Sequence, residues 1–133
     1  MKSLIVFCVL VLMLQLSCKI SSIASLDNDT ESASKRILGV WVRENSISDK
    51  IEFLTNGQIK RYEDNILIYT DYYAITNTCN GIDSGNNQLF LQVIDSNDGS
   101  FTCDIINSVD DGGNGILSLT TAGQGKLVVY LKQ

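Results

Sequence analysis

From Leu38 to Lys132 the sequence alternates between short runs rich in Ile, Val, Leu, Tyr and Phe and clusters of Asn, Asp and Gly. No apolar stripe at helical spacing competes with that pattern. The runs are Gly39 to Asn45, Lys50 to Thr55, Gln58 to Glu63, Leu67 to Thr76, Gln88 to Ile94, Ser100 to Ile106, Ile116 to Thr121 and Lys126 to Lys132. Asn56-Gly57 is the strongest hairpin dipeptide between them, and Asp64-Asn65, Asn97-Asp98-Gly99 and Ala122-Gly123-Gln124-Gly125 serve three further turns. Short connections imply antiparallel neighbours. The expectation is an all-β domain over residues 37–133, an eight-stranded antiparallel up-and-down barrel whose closure removes its exposed edges.

Side-chain alternation is clear in some runs. Ile51 and Phe53 share one face, as do Leu89, Leu91 and Val93, and Leu127, Val129 and Leu131. Phe90 and Ile94 stand opposite the Leu89 set, either to cover one end of a filled barrel or to form an exposed contact patch. Two connections are longer, 77–87 and 107–115, and binding contacts concentrate on such loops.

The segment before the barrel is of a different kind. Lys2 supplies a positive start, Leu4 to Leu16 is apolar but for Gln15, and Ser17-Cys18 follows. As a helix that run spans about 20 Å, short of the roughly 30 Å hydrocarbon core, so residues 1–17 read as a signal peptide. Leu16-Ser17-Cys18 resembles the lipobox of bacterial lipoproteins. The resemblance implies cleavage before Cys18, a diacylglycerol on its thiol and a further acyl chain such as palmitate on its amino group. A plain secretory signal and an uncleaved anchor are the alternatives. Residues 18–36 are Ser-rich with scattered charge and read as a flexible tether reaching about 20 to 25 Å, with a short helix around Ile20 to Leu26 as the alternative.

The chain contains no His, which excludes a His-containing catalytic triad and a His-ligated zinc site. Its net charge of −5 argues against binding nucleic acid, which needs a basic surface. Of the four cysteines, Cys8 leaves with the signal peptide and Cys18 is committed to lipid. In an oxidising envelope compartment the remaining pair, Cys79 and Cys103, reads as a disulfide closing a loop of about 25 residues, worth roughly 3 kcal/mol. Two free buried thiols are the alternative.

Gly39-Val40-Trp41 at the head of the first strand, followed by Phe53-Leu54-Thr55-Asn56-Gly57, resembles the lipocalin-like domains of small bacterial lipoproteins. That resemblance implies that Gly39 and Trp41 form the motif closing one end of the barrel, with a basic side chain packed on the Trp. It also implies a small apolar ligand, or none.

Asp95 to Gly99 and Asp110 to Gly115 have the carboxylates and Gly turns of calcium loops, but neither continues with the spaced Glu, so no metal or other cofactor is expected. Glu52, Glu63, Asp71 and Asp104 show no fixed catalytic spacing, and an enzyme is not expected. Tyr62, Tyr69, Tyr72 and Tyr73 lie in the third and fourth strands, Tyr69 and Tyr73 on one face and Tyr72 on the other. They read either as cross-strand packing or as an aromatic wall for a ligand or partner. Arg43 shares a face with Trp41 and is a candidate to stack on it. The expected protein is a monomeric, non-enzymatic binding module, lipid-anchored in the bacterial envelope, most simply at the outer membrane. It would hold a small apolar ligand or, as the alternative, contact an envelope protein.

Overall fold

The computed structural model describes residues 25–83 and 87–133. The expected signal peptide and Cys18 lie outside the described residues. Helix α1 (Ser25–Arg36) precedes β1 (Gly39–Arg43), β2 (Ser46–Phe53), β3 (Gln58–Glu63) and β4 (Ile66–Thr76). A small excursion, β5 (Thr78–Cys79) paired with β6 (Ile82–Asp83), leads to β7 (Leu89–Ile94), β8 (Phe101–Val109), β9 (Ile116–Thr120) and β10 (Leu127–Lys132). The expected eight-stranded antiparallel barrel is the observed one, closed in the order β1-β10-β9-β8-β7-β4-β3-β2. Closure pairs Trp41 with Lys132 and Arg43 with Tyr130. The Asp64-Asn65 turn works as its composition requires, both residues taking positive φ (51° and 65°) as a tight two-residue hairpin demands.

The interior is packed. Trp41, Ile51, Phe53, Ile59, Leu91, Ile106, Val109, Leu117, Leu119 and Tyr130 are all buried in one contiguous cluster. The last strand departs from the simplest reading of its alternation. Val128 packs against the core and Tyr130 lies within it, whereas Leu127 and Leu131 are 60% and 44% exposed on the outer face. Apolar residues occupy both faces of Leu127–Lys132, so periodicity cannot choose between them, and the ladder to Arg43 and Leu117 decides. The 107–115 connection is also shorter than expected. β8 runs on to Val109, which is buried against Leu117.

An up-and-down topology puts the β1–β2, β3–β4, β7–β8 and β9–β10 hairpins at one end and the remaining connections at the other. The second end is closed by α1. Ala33 and Ile37 are fully buried against the equally buried Trp41, whose indole N–H donates to the Ile37 carbonyl at 2.6 Å. Lys132 Nζ sits 5.1 Å from the Trp41 ring centroid and donates to the Arg36 carbonyl (3.0 Å) and to Asp110 Oδ2 (2.8 Å). That single ammonium therefore holds the last turn of α1, the β8–β9 connection and the indole together. Two expectations are corrected here. The flexible tether does not extend to Arg36, because over 25–36 the chain is helical. Its polar composition hides the two apolar residues, Ala33 and Ile37, whose burial docks it, and a Glu31–Lys35 pair and the basic last turn suit a helix. Arg43 does not stack on Trp41, since Lys132, directly opposite Trp41 in the ladder, takes that place.

The Lys132 hydrogen bond, seconded by the Gly115 N–H, holds the Asp110 carboxyl below its usual value of 3.8. A depressed folded pKa contributes stability that is present above the ordinary carboxylate range and lost as pH falls through the folded value. Thermal midpoints measured from about pH 6 down to about pH 2 should therefore fall less steeply in Asp110→Asn than in wild type. An unchanged slope would show that this contact does not carry the acid sensitivity.

Candidate functional site

Two regions combine accessibility with unusual chemistry, and they lie on different surfaces. The first is on the outside of the barrel. Cys79 and Cys103 are joined, with Cα atoms 6.0 Å apart and a sequence separation of 24. Cys103 projects outward from β8, because its neighbour Asp104 pairs with inward-facing Leu91. The bond thus pins the β5–β6 excursion onto the outer face of β7 and β8. Phe90, the outward residue of β7, is covered and only 6% exposed.

Beside this tie runs a groove of about 790 Å³, lined by Ile82, Phe90, Phe101, Ile105, Ala122 and the disulfide, among others. Phe101 (46% exposed) and Ile82 (60%) form part of its accessible wall. The volume is within the roughly 300 to 1,000 Å³ of small-molecule pockets, and an apolar lining is typical of them.

The second region is the open end of the barrel. Asp49 faces inward from β2 and is 6% exposed. Its Oδ2 accepts from Arg43 at 3.1 Å and from Arg61 at 3.2 Å, while Oδ1 is buried without a hydrogen-bond partner. Arg61 stands opposite Tyr69 in the β3–β4 ladder. Desolvation works against its charge, yet Tyr69 and Asp49 outweigh it and the guanidinium pKa is raised. Tyr130 lies in the same layer, and burial, reinforced by Asp49, pushes its phenol upward. The layer of two cations and one anion divides the apolar core from solvent. Its Asp was not singled out by sequence reasoning, although it sits two and four residues before Ile51 and Phe53 on the inward parity of β2. An acidic residue on an apolar face was the available signal.

The four tyrosines do not form one wall. Tyr69 and Tyr73 share the inner face and Tyr72 the outer, as their alternation predicts. Tyr73 is packed edge-on against Phe53 (4.9 Å between centroids, 80°), with its hydroxyl donating to the Leu54 carbonyl. Burial raises its pKa. Tyr69 joins the charged layer and Tyr72 is 48% exposed. Tyr62 pairs with Leu67 rather than with another tyrosine, and donates to Glu52 at 2.9 Å.

The remaining carboxylates serve turns. Asp71 accepts from the Ser96 N–H and Asp104 from the Ala122 N–H. In the loops weighed as calcium sites, Asp95, Asp98 and Asp110 accept from the backbone N–H groups of Asn97, Ser100 and Gly115. Among the described residues no group of three Cys, Asp or Glu converges to hold a metal, and no helix is long and apolar enough to cross a membrane. The chain matches no protein-family model, no curated protein and no solved structure.

Removing the central anion of the charged layer should be costly. Asp49→Ala leaves two guanidiniums facing one another, and because both are partly exposed the loss should be about 2 kcal/mol rather than the 3–5 of a fully buried pair. Urea unfolding at neutral pH measures it, and a change under about 0.5 kcal/mol would mean that solvent already screens the three charges.

Proposed function

We propose that the chain is a non-enzymatic binding module whose outer groove beside the Cys79–Cys103 tie takes a small apolar ligand. The observation that carries this reading is the groove itself, an apolar recess of small-molecule size on a barrel whose interior is occupied by its own side chains. A ligand carried inside the barrel would have to displace Phe53, Leu91 or Leu117, each close to fully buried. The lipobox-like Leu16-Ser17-Cys18 supports a lipid anchor at Cys18 and a place in the bacterial envelope, where a disulfide is stable. The Gly39-Val40-Trp41 head, with Lys132 over the indole, supports membership of the lipocalin-like lipoproteins. A second reading, contact with an envelope protein, is favoured by one specific observation: Ile66, Leu67 and Ile68 are 66%, 49% and 52% exposed in succession at the open end.

Native mass spectrometry of protein extracted from its own membrane tests the first reading. A bound species of a few hundred daltons should be retained by wild type and lost from Phe101→Ser, a change at a half-exposed site that leaves the core intact. No bound mass in wild type, or the same bound mass in both proteins, would contradict the groove assignment. Separately, Cys18→Ala should move the protein from the detergent phase to the aqueous phase, since each buried acyl methylene contributes about 0.8 kcal/mol to anchoring.

A further inference from the structure

The groove beside the Cys79–Cys103 tie has a chemistry more specific than its apolar surface. Charged residues make up 19% of the chain, yet among the described residues none of those lining the groove is Asp, Glu, Lys or Arg. The described charged side chains that flank it stand outside it. Asp104, opposite inward-facing Leu91, turns to the inner face of β8, and its carboxylate accepts from the Ala122 N–H at 2.8 Å. Asp98 accepts from the Ser100 N–H at 2.8 Å within its own turn, and Lys126 follows Gly125 without lining the groove itself. An ion placed in this recess therefore loses hydration and gains no counter-ion.

The polar part of the lining consists of hydroxyls and amides. Gln88 and Thr121 spend donors inside the protein, on the Ile106 and Lys126 carbonyls. Thr120 differs. It stands opposite Ile105 on the outer face, and its Oγ1 accepts from Asn107 Nδ2 at 2.9 Å. A hydroxyl has one hydrogen to give as well as lone pairs to receive, and no described group accepts the Thr120 hydrogen. The recess is also elongated. Phe101, Cys103 and Ile105 succeed one another on the outer face of β8, and four residues of strand span about 13 Å. Phe101 stands at one end beside the β7–β8 turn, and Ile105, with Thr120 next to it, at the other.

Resting on the reading of this groove as the binding site, we propose that its ligand is an electrically neutral lipid. An extended apolar chain lies along Phe101, Cys103 and Ile105, and an uncharged head places a carbonyl or ether oxygen where it accepts the Thr120 hydroxyl hydrogen. The same lining selects against fatty-acid anions and cationic amphiphiles, since neither finds an opposite charge there.

The test uses the full chain at pH 7 and three probes of matched chain length below their micelle concentrations: 1-monolauroylglycerol, laurate and dodecylammonium. The methyl NMR signals of Ile82, Ile105 and Ala122 report the groove. Monolauroylglycerol should shift all three saturably, and each ion should bind at least about tenfold more weakly. Thr120→Val, which removes the hydroxyl, should weaken monolauroylglycerol by about threefold to tenfold with the far-ultraviolet spectrum unchanged, while Thr120→Ser should stay within about twofold of wild type. Laurate or dodecylammonium binding as tightly as the glyceride at the same methyls would overturn the selection for a neutral ligand and leave the groove standing as a site. Silence of those methyls toward all three probes would overturn the groove reading and this inference with it. Undiminished glyceride affinity in a folded Thr120→Val protein would overturn the placement of the head at Thr120.

Discussion

The ladder between β1 and β10 is the constraint on which the rest of the molecule depends. It is short, yet it closes the barrel and fixes what stands at each end. Trp41 opposite Lys132 places an ammonium over the indole, and from there it reaches the Arg36 carbonyl and Asp110. Arg43 opposite Tyr130 places a guanidinium and a buried phenol two positions further along, where Asp49 and Arg61 meet them. A slip of one residue would turn Trp41 to solvent and break both arrangements together.

The two ends that result are chemically unlike. One is dry and mechanical: Ala33, Ile37 and Trp41 are fully buried, and α1 acts as a lid whose last carbonyls are held by Trp41 and Lys132. The other is polar: Arg43 and Arg61 share Asp49 Oδ2, and Asp49 Oδ1 is buried without a hydrogen-bond partner. Between them the lumen is filled by side chains. Vacant apolar volume lies instead along the outer wall, where the disulfide secures an excursion of the chain against β7 and β8. A buried polar atom without a partner is expensive, commonly about 1 to 3 kcal/mol, and Asp49 Oδ1 is such an atom.

Much of this was legible in the residues. The eight strands follow from β-rich runs and turn dipeptides, and Asp64-Asn65 takes the positive φ its hairpin needs. The disulfide followed from elimination among four cysteines. What escaped was set by tertiary pairing. The helix over 25–36 is polar almost throughout, and its place is decided by Ala33 and Ile37 meeting Trp41, which local propensity does not encode. The faces of Leu127–Lys132 were ambiguous because both are apolar, and only the ladder to β1 and β9 resolves them. The partner of Trp41 was sought along its own strand, in Arg43, when it lay across the closure in Lys132. The charged layer was missed for the same reason: Arg43, Asp49 and Arg61 come from three strands, and no spacing in the sequence announces their meeting.

The central claim is that the lumen is filled and that vacant apolar volume lies outside it. Methyl chemical-shift mapping under xenon pressure tests this most directly, because xenon enters dry apolar cavities without needing a particular functional group. The account expects the methyls of Ile82, Ile105 and Ala122 along the groove to shift with pressure, while those of Ile51, Ile59, Leu91 and Leu117 stay in place. Saturable shifts at the four interior residues, with none along the groove, would contradict it.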